Sequence, residues 1–142
     1  MAGETTTDLV PTTALISSAS CGALIAQPHT VALRTTDLAT NDITGVAKVP
    51  ANSTTFGFFF FTDDLDSGSE ALVWSVLIGT TVVQAGITNA VAKAGTFFAC
   101  AGGPITVTAD TIVSLKATTA AATAVAGNCT LTQFTPLLIK KG

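Results

Sequence analysis

Residues 54–74 read TTFGFFFFTDDLDSGSEALVW. Five of the chain's eight phenylalanines fall within six positions, Phe56 and Phe58, Phe59, Phe60 and Phe61. An acidic stretch follows, with Asp63, Asp64 and Asp66, and Gly68 closes it. A second apolar run starts at Ala71. A strand points alternate side chains to opposite faces. This places Phe56, Phe58 and Phe60 on one face and Phe59 and Phe61 on the other. An exposed run of this kind would aggregate, so both faces are expected to be covered, as in a central strand of a two-layer β-structure.

The rest of the chain reads the same way. Its 142 residues suit one domain with one hydrophobic core. Apolar residues make up 48% and charged residues only 11%, against about 25% in an average domain. Threonine, stiff, uncharged and strand-favouring, occupies 26 positions. Short strands are expected at 31–34, 42–49, 56–61, 70–78, 80–84, 97–99, 105–107, 112–118 and 129–140. Gly45 marks a bulge. A second bulge is expected in the last strand, where Leu131 and Phe134 break strict alternation. Residues 87–94 fit a short helix or a loop. Strands with turn signals every 8 to 12 residues indicate a sandwich or barrel, and no longer repeat points to a propeller or solenoid. The expectation is an all-β, single antiparallel β-sandwich of about eight strands, with the jelly roll as one way of winding it. Residues 1–28 read as an extended N-terminal arm, in which 14–25 could form a short helix, and 29–142 as the sandwich domain.

The charge is −3 and the isoelectric point about 4.7. Six scattered basic residues do not make a nucleic-acid or anionic-membrane surface. No stretch reaches the roughly 18 apolar residues of a membrane helix. Glu4 and Asp8 stand ahead of the mild apolar stretch at 9–26, where an export signal carries basic residues. Ser18-Ala19-Ser20 before Cys21 lacks the leucine of a lipoprotein signal. No cleaved signal is therefore expected. Cys21, Cys100 and Cys129 form no metal-ligand spacing and are expected to be buried free thiols.

Catalytic patterns are sparse. His29 is the chain's one histidine and has no spaced metal-ligand partner. No serine sits in a GxSxG turn, and Cys100 lacks an evident base. Asp63, Asp64, Asp66 and Glu70 are the one carboxylate cluster. They fit a strand-connecting turn better than a calcium loop or a glycosidase pair. Trp74 is either core or a sugar-stacking platform. The sequons at Asn52 and Asn128 matter only in a secreted eukaryotic protein. The chain is thus expected to be no enzyme, with no catalytic, cofactor-binding or metal residues and no cofactor.

Three segments carry a resemblance. The first is LATNDI at 38–43, running on to Val49-Pro50-Ala51-Asn52. The second is Asp64-Leu65-Asp66-Ser67-Gly68 with the strand ending at Gly79. The third is SLKATTAAAT at 114–123, with Gly127 and the closing strand. In this order they resemble the small structural proteins of tailed-bacteriophage virions, over about residues 31–140. The closing strand departs by ending in Pro136-Leu137-Leu138-Ile139 rather than in an aromatic. The resemblance implies a non-enzymatic head decoration or cement protein of the virion, assembled in the host cytoplasm. Its implied partners are copies of itself, as a homo-oligomer with a trimer favoured, and the major capsid protein or another virion protein. Nucleic acid and membrane are not among them. The alternative from the residues is a carbohydrate-binding or adhesin-like sandwich using Trp74 and the acidic turn.

Overall fold

The computed structural model describes residues 24–88 and 93–136. Among the described residues ten strands run in chain order: β1 (Leu24–Leu33), β2 (Ile43–Val49), β3 (Thr54–Thr55), β4 (Gly57–Thr62), β5 (Val73–Ile78), β6 (Thr81–Ile87), β7 (Ala94–Ala99), β8 (Ile105–Thr106), β9 (Thr111–Thr119) and β10 (Gly127–Pro136). One 3-10 turn, Thr35–Leu38, links β1 to β2. No α-helix occurs among the described residues. The strands form two four-stranded sheets, ordered β1-β10-β4-β7 and β2-β9-β5-β6, and a small β3-β8 ribbon. All their ladders are antiparallel. The protein is the all-β sandwich its sequence indicates, with eight strands in the two main sheets.

The core lies between those sheets. Phe58, Phe60, Leu33, Cys129 and Leu131 enter it from the first sheet. Trp74, Val76, Ile78, Val83, Val113, Leu115 and Ala117 enter from the second. Phe58 and Phe98 pair across β4 and β7, their ring centroids 5.7 Å apart. Such tilted aromatic contacts add to the burial itself.

Four sequence expectations change. The Phe run is covered on one face only: Phe58 and Phe60 are fully buried, while Phe59 and Phe61 are 38% and 36% exposed. Phe56 does not share the inner face. It falls at the junction of β3 and β4, where Thr55 takes the buried place and Phe56 stays exposed. The expected bulge in the closing strand is absent among the described residues, since β10 pairs with β1 and β4 in unbroken register. Its alternation is strict because Gln133, not Phe134, points inward. There the Gln133 Nε2 donates to Thr55 Oγ1 at 2.9 Å, which satisfies part of a buried amide. Lastly, Leu24 through Pro28, read as part of the arm, form the first half of β1 and pair with β10. Residues 1–23, 89–92 and 137–142 lie outside the described residues, and with them Cys21, most of the possible helix at 14–25 and the tail of the last strand.

Other expectations hold. The bulge at Gly45 appears as a register shift between Gly45 and Ala47. Gly79 closes the β5–β6 hairpin at φ +61, a left-handed conformation that glycine takes at little cost. Cys100 and Cys129 are buried free thiols.

The acidic stretch is an anchor for loops. Asp66 is buried. Its Oδ2 accepts from the N–H groups of Ala71 (2.6 Å) and Leu72 (2.9 Å), and its Oδ1 from Thr123 (2.8 Å). Burial alone would raise this carboxyl's pKa. The N–H groups of Thr123, Ala71, Ala122 and Leu72 outweigh it and hold the pKa below the usual range. Asp63 Oδ2 accepts from the Asn128 N–H at 2.9 Å, fixing the start of β10. One carboxylate thus ties the loop before β5 to the loop before β10.

Three predictions follow from this packing. Phe58→Ala or Phe60→Ala should cost about 3–5 kcal/mol, a large share of a domain's roughly 5–15. Melting curves unchanged from wild type would contradict the core. Asp66→Ala should leave buried N–H groups unpaired, at about 1–3 kcal/mol for one such as Leu72 N–H. Because the folded pKa of Asp66 is depressed, its stabilisation is present above about pH 4 and fades as pH falls through the lower folded value. Asp66→Asn should flatten that part of the acid-unfolding curve, while calcium should leave the melting temperature unchanged. Burial pushes the Cys129 thiol up to about 12 and also raises that of Cys100. Both should therefore resist a thiol reagent at pH 8 in the native protein and react once it is unfolded. Rapid native labelling of either would contradict their placement.

Candidate functional site

The polar candidates do not converge. Asp66 is committed to backbone N–H groups and Asp63 to Asn128 and Lys93, the last at 3.7 Å. Asp64 Oδ1 accepts from the Asp66 N–H at 3.3 Å. Among the described residues, no three His, Cys, Asp or Glu side chains group so as to hold a metal ion. Trp74 is fully buried and has no face to offer a sugar, which removes the main feature of the carbohydrate-binding reading. His29 points toward the seam between the sheets, on a shallow cleft lined by Gly45, Val46, Ala47, Lys48 and Ile112. The Lys48 ammonium there is paired with Asp110 at 2.8 Å. Arg34 likewise faces Asp37, at 2.9 Å. Both cations are thus paired with a carboxylate. Among the described residues, no helix is long and apolar enough to cross a membrane.

The feature that does stand out is the outer face of the first sheet. Cross-strand register assembles it in rows. Phe97, Phe59, Thr132 and Pro28 lie in line across β7, β4, β10 and β1. On one side runs the row Gly95, Phe61, Thr130 and Thr30, and on the other Ala99, Gly57, Phe134 and Ala26. All of these alternate with the core residues and so point outward. Gly95 makes room for a ring. A side chain at Gly95 would strike the Phe59 ring, with its Cβ 2.5 Å from Cζ, so Phe59 lies flat over that glycine. Gly57 instead makes room for the β7 backbone, since a Cβ there would strike the Phe98 carbonyl oxygen; Phe97 and Phe134 pair with ring centroids 5.4 Å apart.

Exposure on this face is high for rings and aliphatics. Phe97 is 66% exposed and Leu24, at the end of β1, is 58% exposed. The four strands contain no Asp, Glu, Lys or Arg. The second sheet differs: its exposed Ile43, Ile112 and Val82 share the sheet with Lys48 and Lys116. An exposed, charge-free aromatic surface on a folded domain marks a contact site. Covering one of these rings fully would contribute up to about 1.5–3 kcal/mol. What such a face offers a partner is apolar contact.

A sequence reading that buries both phenylalanine faces hides this pattern. The usable signal was the absence of charge from the strands of one sheet, visible only once β1, β4, β7 and β10 are known to be neighbours.

Neither a comparison with protein-family models nor one with curated proteins finds a match. Solved structures do share the fold. The chain is similar to one in the cyanophage Pam1 capsid asymmetric unit, with a TM-score of 0.64 and 24% identity, over 82% of this chain and 86% of that one. It is similar to a chain of the capsid of Ralstonia phage GP4, with a TM-score of 0.68 and 19% identity over 85% and 88%. A third likeness is to a chain of the acidic stable capsid of Helicobacter pylori bacteriophage KHP30, with a TM-score of 0.51 and 12% identity over 84% and 98%. Three phage capsids thus contain a chain folded like this one.

Proposed function

We propose that this protein is a non-enzymatic structural component of a bacteriophage particle, which decorates or cements the capsid shell as a homo-oligomer. The observation that carries the reading is the charge-free, aromatic outer face of the first sheet, on a fold shared with chains of three phage capsids. A surface of that kind suits permanent assembly better than a freely diffusing monomer. The strand orders β1-β10-β4-β7 and β2-β9-β5-β6 also support a jelly roll. In it the eight main strands wind as two nested Greek keys, with the end strands of the chain, β1 and β10, side by side.

In this reading the partners are further copies of the chain, three by preference, and the major capsid protein or another virion protein. Assembly takes place in the host cytoplasm. An N-terminal arm that reaches a neighbouring subunit belongs to the same reading, and the informative truncation removes residues 1–23, which spares β1. No observation favours a carbohydrate-binding alternative once Trp74 is in the core.

The test is light scattering of the full-length protein at micromolar concentration, with co-sedimentation on phage shells assembled without it. The expected result is an oligomer that binds the shells saturably. Deleting residues 1–23 should weaken assembly or shell binding while the sandwich stays folded. A clean monomer with no affinity for shells would refute the proposal.

A further inference from the structure

The outer face of the first sheet leaves apolar surface uncovered, and its chemistry narrows what can cover it. Its four strands carry no charged residue. The charges of the described chain lie elsewhere, on Arg34, Asp37, Lys48, Asp63, Lys93 and Asp110 among others. A partner that brought charged groups here would lose their hydration and find no counter-charge. The occupant must match the face in being uncharged and apolar, and the structure itself supplies such a surface: the same face on a second copy. Two such faces meet with no like charges opposed. Two of the face's hydroxyls are already paired, since Thr30 Oγ1 and Thr130 Oγ1 lie 2.8 Å apart and bond each other.

We infer that copies of this chain meet through the outer face of the β1-β10-β4-β7 sheet, with Phe97 beside the symmetry axis. The inference rests on the oligomeric reading above and names the surface that reading requires. Phe97 is the most exposed large apolar side chain of this face, at 66%. It stands on β7, the edge strand of the sheet, where a neighbour's approach is open. Its ring is supported from one side by Phe134. Next to a closed rotation axis a residue meets its own counterpart, whether two or three copies surround the axis.

That geometry has a signature no other occupant shares. Phe97→Lys and Phe97→Glu each bring like charges together at the axis, so each variant of the full-length protein should sediment as a monomer where the wild type is assembled. Mixed in equal amounts, the two variants should regain the oligomer, because opposite charges then meet at the axis, at the contact of a pair and at two of the three contacts of a trimer. Ile112→Lys, on the other sheet, should keep the wild-type mass. The melting temperature of each variant confirms that the sandwich is intact, which is expected at so exposed a position. Wild-type mass in both Phe97 variants would overturn this inference and leave the oligomer standing. Two monomeric variants that do not reassemble on mixing would overturn the self-contact. A monomeric wild type would remove the inference together with the oligomeric reading.

Discussion

The structure depends on how one strand divides its side chains. β4 sends Phe58 and Phe60 inward, where they meet Phe98, and with the neighbouring strands they close the core against Trp74, Val76 and Leu115 of the other sheet. The same two-residue period then forces Phe59 and Phe61 outward. No register could bury all four in a two-layer sandwich, because the sheet has only one inner face. The fold therefore exposes aromatic rings as a by-product of its core. The neighbouring strands complete that surface in kind, with Phe97 on β7 and Phe134 on β10.

Much of the fold was legible in the sequence, since strands betray themselves by composition and turns by chemistry. Thr-rich runs, the bulge at Gly45 and the turn at Gly79 all read correctly. What failed were positions where a polar residue went inside. Gln133 is buried where a bulge is expected instead, and its amide nitrogen is paired by the hydroxyl of Thr55, far away in sequence. The first half of β1 was hidden for a related reason: Pro28 and the small residues around it suggested an arm. Proline is tolerated there because β1 is an edge strand, whose outer N–H groups need no ladder partner. The candidate site was the least legible part, as it depends on which four strands are neighbours, and the order β1-β10-β4-β7 cannot be read from local pattern.

The acidic stretch shows how little a motif means without its surroundings. Clustered carboxylates invite a metal reading, yet Asp66 is satisfied by backbone N–H groups from two loops, at 2.6 to 2.9 Å. A buried carboxylate so surrounded works as an internal cap, joining loops far apart in the chain. The carboxylates of this stretch thus serve the protein's own architecture.

The position of β10 has a consequence for how the protein is made. It is the last strand of the sandwich in the chain, yet it lies inside the first sheet and joins β1 to β4. Thr30 and Thr130, bonded across β1 and β10, are 100 residues apart in sequence. On the ribosome the phenylalanine strand therefore emerges well before one of its two flanking strands exists. Contacts of such separation form slowly, and unpaired apolar strands are the species that stick to one another during folding. Nascent chains of this protein pass through a stage in which β4 lacks its neighbour β10, and chaperone binding or slow translation over that interval would govern the yield of folded protein.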